Sequence, residues 1–309
     1  MPKVDVQICE VGPRDGLQNA HHLMPTAVKN AWISALAKAG LKEIEVGSFV
    51  PPKLIPAMAD TGEIVAHART IPGLKVVVLA PNLKGFQRAL EAGAHKISFP
   101  VSVSHAHSVS NVRMTPDQMV DEVVKCCELR ASLPVDRRPE IEGGLATAFG
   151  CTLQGEVPES EVVRIAKRLV SAGVDCLGLA DTVGYANPAQ IRRLYRKVRD
   201  VCDGRLDGVH LHNTRGLGLA NAFAAFEEGA RAFDSSMGGL GGCPFAPGAS
   251  GNVVTEDLVF MFEAMGVGTG IDFEALLRAR EILVNGIPDE PLYGHFAQAG
   301  LPKGFQQAA

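Results

Sequence analysis

No apolar run in this sequence approaches the roughly 18–20 residues that a membrane-spanning helix needs. Cys-x-x-Cys pairs are also missing. The seven cysteines (Cys9, Cys126, Cys127, Cys151, Cys176, Cys202 and Cys243) are odd in number and scattered. That usage argues against a disulfide framework and fits free thiols in a reducing compartment. No long basic run occurs and the net charge is −4, so nucleic acid and anionic membranes are poor partners. Residues 4–8 follow no charged n-region and apolar h-region, so no secretory signal is read. The expected location is the cytoplasm, or an organelle after processing. Two nucleotide signatures are missing too. No Gly-x-Gly-x-x-Gly turn follows an early strand, and no Walker lysine motif occurs. Gly216-Leu-Gly218 comes late and lacks the third glycine.

What is present is a full globular core: 46% of the 309 residues are hydrophobic and 21% charged. Short β-rich runs alternate with amphipathic stretches from end to end. Strands are expected at 4–9, 43–46, 74–80, 95–100, 140–148, 175–180, around 209–212, and at 230–236. The run Leu74-Lys-Val-Val-Val-Leu-Ala80 is almost continuously apolar, as in a strand covered on both faces. Helices are expected at 25–39, 61–70, 83–92, 115–132, 159–172, 188–201, 218–228 and 255–265. Thr115-Pro116-Asp117 is a helix-entry signal, with proline at the first helical position. Ala39-Gly40, Ala92-Gly93, Ala172-Gly173 and Gly229-Ala230 are helix ends feeding the next strand. Eight βα units in about 250 residues describe an α/β TIM barrel, (β/α)8. The expected division is a catalytic barrel over 1–270 and a C-terminal helix (272–283) and tail over 271–309. The tail would pack on the barrel or on a partner subunit.

Chemistry in such a barrel sits at the C-terminal ends of the strands. The residues there are polar. Strand one leads into Glu10, Arg14, Asp15 and Gln18; strand two carries Glu45 and Ser48; strand six ends in Asp181-Thr182. Strand seven reads Val-His210-Leu-His212-Asn213. Alternation puts both histidines on one face, as a bidentate grip for a divalent metal or as two core histidines with backbone partners. Asp15 is a candidate third ligand, adding the charge that neutral imidazoles lack, or an Asp-Gly turn residue. Asn252 offers an amide oxygen as a fourth ligand, or caps the next helix. Such a set suits Mg²⁺ or Mn²⁺ as well as Zn²⁺. Arg14 is placed to stabilise a developing oxyanion, or to pair with Glu45. Cys243 sits in a loop rich in glycine and proline, with few apolar neighbours, which favours a reactive thiol over a core one. His105 and His107 lie among serines and read as a solvated loop after strand four.

Three stretches carry a resemblance: Glu10-Val-Gly-Pro-Arg-Asp-Gly-Leu-Gln-Asn19, Ile44-Glu-Val-Gly-Ser-Phe-Val50 with Pro52-Lys53, and Gly238-Gly-Leu-Gly-Gly-Cys-Pro-Phe-Ala-Pro-Gly-Ala-Ser-Gly-Asn252. They resemble the 3-hydroxy-3-methylglutaryl-CoA (HMG-CoA) lyase family, one of the metal-dependent lyase and synthase barrels. The resemblance implies a divalent cation, Mg²⁺ or Mn²⁺, held by Asp15, His210, His212 and Asn252. It implies Arg14 on the thioester side, Cys243 as a catalytic residue, and catalytic parts for Asp15 and His210. Arg14, Gln18, Glu45, Ser48, Asp181 and Thr182 are the expected substrate-binding set. The implied reaction is retro-Claisen cleavage of HMG-CoA to acetyl-CoA and acetoacetate. The alternatives are a lyase for a longer-branched glutaryl-CoA or citramalyl-CoA, and a synthase condensing acetyl-CoA with a 2-oxo acid. The expected partners are an acyl-CoA substrate and further copies of the chain, as a dimer or tetramer. Where the family commonly has aspartate after the second histidine this chain has Asn213, and His21 stands where a lysine is common.

Overall fold

The computed structural model describes residues 4–241 and 251–308. Eight strands form a closed barrel in chain order: β1 (Gln7–Glu10), β2 (Glu43–Ser48), β3 (Lys75–Leu79), β4 (Lys96–Ser102), β5 (Glu140–Ala146), β6 (Cys176–Asp181), β7 (Leu206–Leu211) and β8 (Ala232–Ser235). Every pairing is parallel, and β1 closes on β8 through Cys9 opposite Asp234. The helices between them are α1 (Thr26–Lys38), α2 (Thr61–Ala68), α3 (Leu83–Ala92), α4 (His105–Val112), α5 (Pro116–Ala131), α6 (Glu159–Ala172), α7 (Pro188–Arg199), α8 (Gly218–Glu227) and α9 (Thr255–Ala264). Two more follow, α10 (Phe273–Gly286) and the short α11 (Phe296–Ala299). No helix among the described residues is long and apolar enough to cross a membrane.

Period-two alternation explains the layering. Ile97 and Phe99, Ile141 and Leu145, Leu177 and Leu179, Val209 and Leu211 are buried in the layer between barrel and helices. The residues that alternate with them, such as Lys96, Glu142 and His210, therefore point into the lumen. The helix punctuation follows local rules. Thr115 and Gln118 form a reciprocal capping box at the start of α5. Gly93 and Gly173 close α3 and α6 with φ of 80° and 95°, a region that glycine enters without a Cβ penalty. The C-terminal α10 lies against α1, and the Asp272 amide donates to the Ala39 carbonyl at 2.8 Å.

Three local details refine or differ from the sequence reading. Residues 105–112 are not a solvated loop: Ser104 accepts from the His107 amide and starts α4, with His107 half-buried. The serine-rich composition hid a cap that is itself a serine. After β1 the chain makes a π-type turn, Gly12–Gly16, in which the Val11 carbonyl faces the amides of Arg14, Asp15 and Gly16. Asn252 does not cap α9. Val254 holds that position, while Asn252 forms an isolated bridge with His212, just beyond β7.

Candidate metal centre and active site

The site is assembled at the C-terminal ends of β1, β2, β7 and β8. The turn after β1 projects Arg14 and Asp15 from adjacent positions. Asp15, His210 and His212 bring one ligand atom each to within 4.8 Å of one another. The two Nε2 atoms are 3.1 Å apart. Two ligand atoms set at right angles, each about 2.1 Å from one cation, stand about 3.0 Å apart, so this spacing fits a shared ion.

Outer contacts aim these ligands. His210 Nδ1 faces Asp234 Oδ2 at 3.1 Å, which leaves Nε2 for the site. Asp15 Oδ2 accepts from Asn252 Nδ2 at 2.7 Å, and Asp15 Oδ1 accepts from Gln18 Nε2 at 3.2 Å. Asn252 Nδ2 also donates to the Leu240 carbonyl at 3.1 Å. The amide oxygen of Asn252 and Nδ1 of His212 are buried without a partner among the described residues. An orphaned amide oxygen beside a carboxylate and two imidazoles is a donor set that fits a divalent cation.

The titration behaviour follows from this packing. Burial pushes the Asp15 carboxyl up, but Arg14 and the two histidines outweigh it and bring it down to about 2. Burial, then His210, lowers His212 to about 4. His210 moves the other way: burial lowers it, yet the Asp234 hydrogen bond and the Asp15 charge prevail and raise it. Asp15 is thus an anion, and His212 a neutral base, near neutral pH.

Arg14 lies between two carboxylates. Its Nη1 contacts Asp15 Oδ1 at 2.5 Å, and its Nε and Nη2 both grip Glu45 Oε2, at 2.6 and 2.5 Å. Glu45 Oε1 is left buried and unpartnered among the described residues. Burial raises Glu45 to about 7 despite Arg14.

The other expected residues sit differently. Ser48 accepts from the Val50 amide at 3.3 Å within its own turn. Asp181 accepts from the Tyr185 and Ala186 amides at 2.8 and 3.1 Å, and burial raises it to about 6. Thr182 accepts from the Thr147 amide at 2.8 Å. These three shape strand-end loops around the centre. Cys243 lies outside the described residues. Asn213 accepts from the Gly218 amide at 2.9 Å at the start of α8, and His21 is exposed beside Glu290. Asp234 was not found from the sequence. Its signal was a lone acid in an apolar strand, in register with His210.

The model of the HMGL-like family matches residues 5–283. This chain belongs to the HMGL-like family. A mitochondrial hydroxymethylglutaryl-CoA lyase of Mus musculus is 37% identical over 287 residues, covering 93% of this chain and 87% of the relative. A cytoplasmic 3-hydroxy-3-methylglutaryl-CoA lyase of the same species is 37% identical over 283 residues, covering 91% and 81%. Among solved structures, an HMG-CoA lyase from A. baumannii, in complex with coenzyme A and 3-methylmalate, superposes with a TM-score of 0.89 at 40% identity and 97% coverage of both chains. The HMGL-like chain described here is accordingly a carbon–carbon lyase by family.

Proposed function

We propose that this protein is a divalent-metal-dependent acyl-CoA lyase that cleaves HMG-CoA to acetyl-CoA and acetoacetate by retro-Claisen chemistry, with Mg²⁺ or Mn²⁺ as the ion. The observation that carries the reading is the position of Arg14, held by Glu45 and touching the Asp15 ligand of the His210–His212 cluster. A cationic donor then stands directly beside the metal-binding groups. Relatives named for this activity, at 37–40% identity over most of the chain, support the substrate.

Asp15, His210, His212 and Asn252 would hold the cation, which when bound supplies Lewis-acid polarisation of a substrate oxygen. The reaction removes the C3 hydroxyl proton, breaks C2–C3, forms the C3 carbonyl and leaves the electron pair on C2 as a thioester enolate. Arg14 carries a permanent charge and fixed donors, so it stabilises the enolate oxygen as charge develops there. Glu45 and Asp15 fix the guanidinium plane before reaction, and this preorganisation lowers the cost of reaching the transition state. Asp234 orients the His210 ring through Nδ1. Cys243 is assigned the return of a proton to C2, on the strength of the glycine-rich sequence around it.

The test is acetyl-CoA release from three thioesters, HMG-CoA, citramalyl-CoA and a glutaryl-CoA with a longer C3 branch, in buffer containing Mn²⁺. The highest kcat/KM is expected for HMG-CoA. Turnover of another thioester with none of HMG-CoA overturns the substrate assignment.

A further inference from the structure

Glu10, the last residue of β1, is fully buried and touches none of the expected metal ligands. It nevertheless joins every segment that carries one from β1 or β8. Its Oε1 accepts from the Gly12 amide at 2.8 Å and from the Met237 amide at 2.9 Å. Its Oε2 accepts from the Thr255 hydroxyl at 2.7 Å, and that hydroxyl also meets Ser235 Oγ at 2.8 Å. The fit is close at Gly12, where a Cβ would come within 2.5 Å of Glu10 Oε1 and 2.9 Å of the Trp32 ring.

Each of these bonds leads to a ligand. Gly12 opens the turn whose amides at Arg14, Asp15 and Gly16 face the Val11 carbonyl, so displacing Gly12 displaces Asp15. On the β8 side, the Ser236 amide donates to the Val253 carbonyl at 2.9 Å and the Thr255 amide to the Ser236 carbonyl at 3.1 Å. Met237 and Thr255 therefore move as a unit with Asn252, which sits three residues before Thr255. The Asp15–Asn252 contact of 2.7 Å is where the two sides meet.

We propose that Glu10 is a positioning residue that sets the relative placement of Asp15 and Asn252, and hence the affinity of the centre for its cation. The inference rests on the reading of Asp15, His210, His212 and Asn252 as metal ligands. What matters is reach: one carboxylate spans a turn amide, a β8-side amide and a helix-start hydroxyl at once. Charge is secondary, since no cationic side chain contacts it.

Two substitutions in the full chain separate reach from charge. Glu10→Asp keeps a carboxyl group and shortens the arm by one methylene. Glu10→Gln keeps the length and an oxygen for the Gly12 and Met237 amides. Mn²⁺ affinity is read without substrate, from the resonance signal of free Mn²⁺, beside thermal unfolding of each variant. Glu10→Asp is expected to lose about tenfold in Mn²⁺ affinity and a similar factor in kcat, while Glu10→Gln stays within about threefold of the parent. KM for the thioester should stay within about twofold in both. Parental Mn²⁺ affinity in a folded Glu10→Asp overturns the proposal, and so does an equal loss in Glu10→Gln. If Glu10→Asp does not fold, Thr255→Val takes its place: it removes the Oε2 partner at nearly constant shape and should weaken Mn²⁺ binding at least about threefold. Parental affinity there is equally contrary. A parent chain that binds no Mn²⁺ overturns the ligand reading and this inference together, whereas a parent that binds and variants that match it overturn this inference alone.

Discussion

Each end of the barrel lumen carries a knot of charged side chains, and the two knots differ in how completely they satisfy themselves. At the N-terminal ends of the strands, Lys96 meets Glu142 at 2.6 Å and Glu43 at 2.9 Å, while Lys75 meets Glu140 at 2.8 Å. Gln7 donates to the remaining oxygen of Glu43 at 2.7 Å. No buried nitrogen or oxygen of Gln7, Glu43, Lys96 or Glu142 lacks a partner among the described residues. At the C-terminal ends the residue types are similar, with carboxylates, an arginine and two histidines. There, atoms of Glu45, His212 and Asn252 are left over. Buried charges that neutralise one another are costly to break apart, and several unpartnered polar atoms gathered around one group of carboxylate and imidazole side chains point to a ligand there. Of two polar clusters in one lumen, the incomplete one is the candidate site.

The contrast can be broken first at the lower knot. Lys96→Ala removes the cation that serves Glu43 and Glu142 and strands their charge inside the barrel. The expected loss is about 3–5 kcal/mol in urea or thermal unfolding. Mn²⁺ affinity of whatever folds should stay within about threefold of the parent, because no candidate metal ligand is touched. A parental unfolding midpoint would mean that the lower knot is not structural.

The upper knot should respond in the opposite sense. Arg14→Gln removes the donor beside the candidate metal ligands, and kcat should fall by about 10²–10³ with little change in KM. An ordinary kcat would take away the role assigned to that guanidinium.

A smaller and pH-dependent effect is expected at Glu45, which burial raises from 4.5 to about 7. A buried acid that holds its proton more tightly when folded favours the folded state at low pH. That advantage is lost as pH rises from about 4.5 to 7 and stays lost above. Glu45→Gln removes this dependence. The unfolding free energy of the variant minus that of the parent should therefore climb between pH 5 and pH 7 and level off beyond, with a total swing on the order of 3 kcal/mol at most. A difference that stays flat from pH 5 to pH 8 contradicts the assignment.

Much of this is legible in the sequence, for reasons visible in particular residues. Alternation placed His210 and His212 on one face, and Ala-Gly joints such as Ala92-Gly93 announced the helix ends that organise the barrel. The agreement stopped where partners lie far apart in the chain. Glu10 appeared only as a polar strand end, because Met237 and Thr255 are 227 and 245 residues away. Asp234 was overlooked because its meaning comes from register with His210 on the neighbouring strand, and no local spacing encodes register. Ser48, Asp181 and Thr182 carry contacts that the sequence does not announce. Each is expected at a strand end as a substrate-binding residue, and in the structure its side-chain oxygen also accepts from a backbone amide of its own or a neighbouring loop.

On the proposed reading, the leftover atoms of the upper knot take up a divalent cation that turnover requires. The direct measurement is acetyl-CoA release from HMG-CoA by protein stripped of metal with excess chelator, then by the same protein after titration with Mn²⁺. That requirement predicts no turnover when stripped and recovery that saturates at one ion per chain, with neither binding nor recovery in His210→Ala. Full activity after exhaustive metal removal would contradict it.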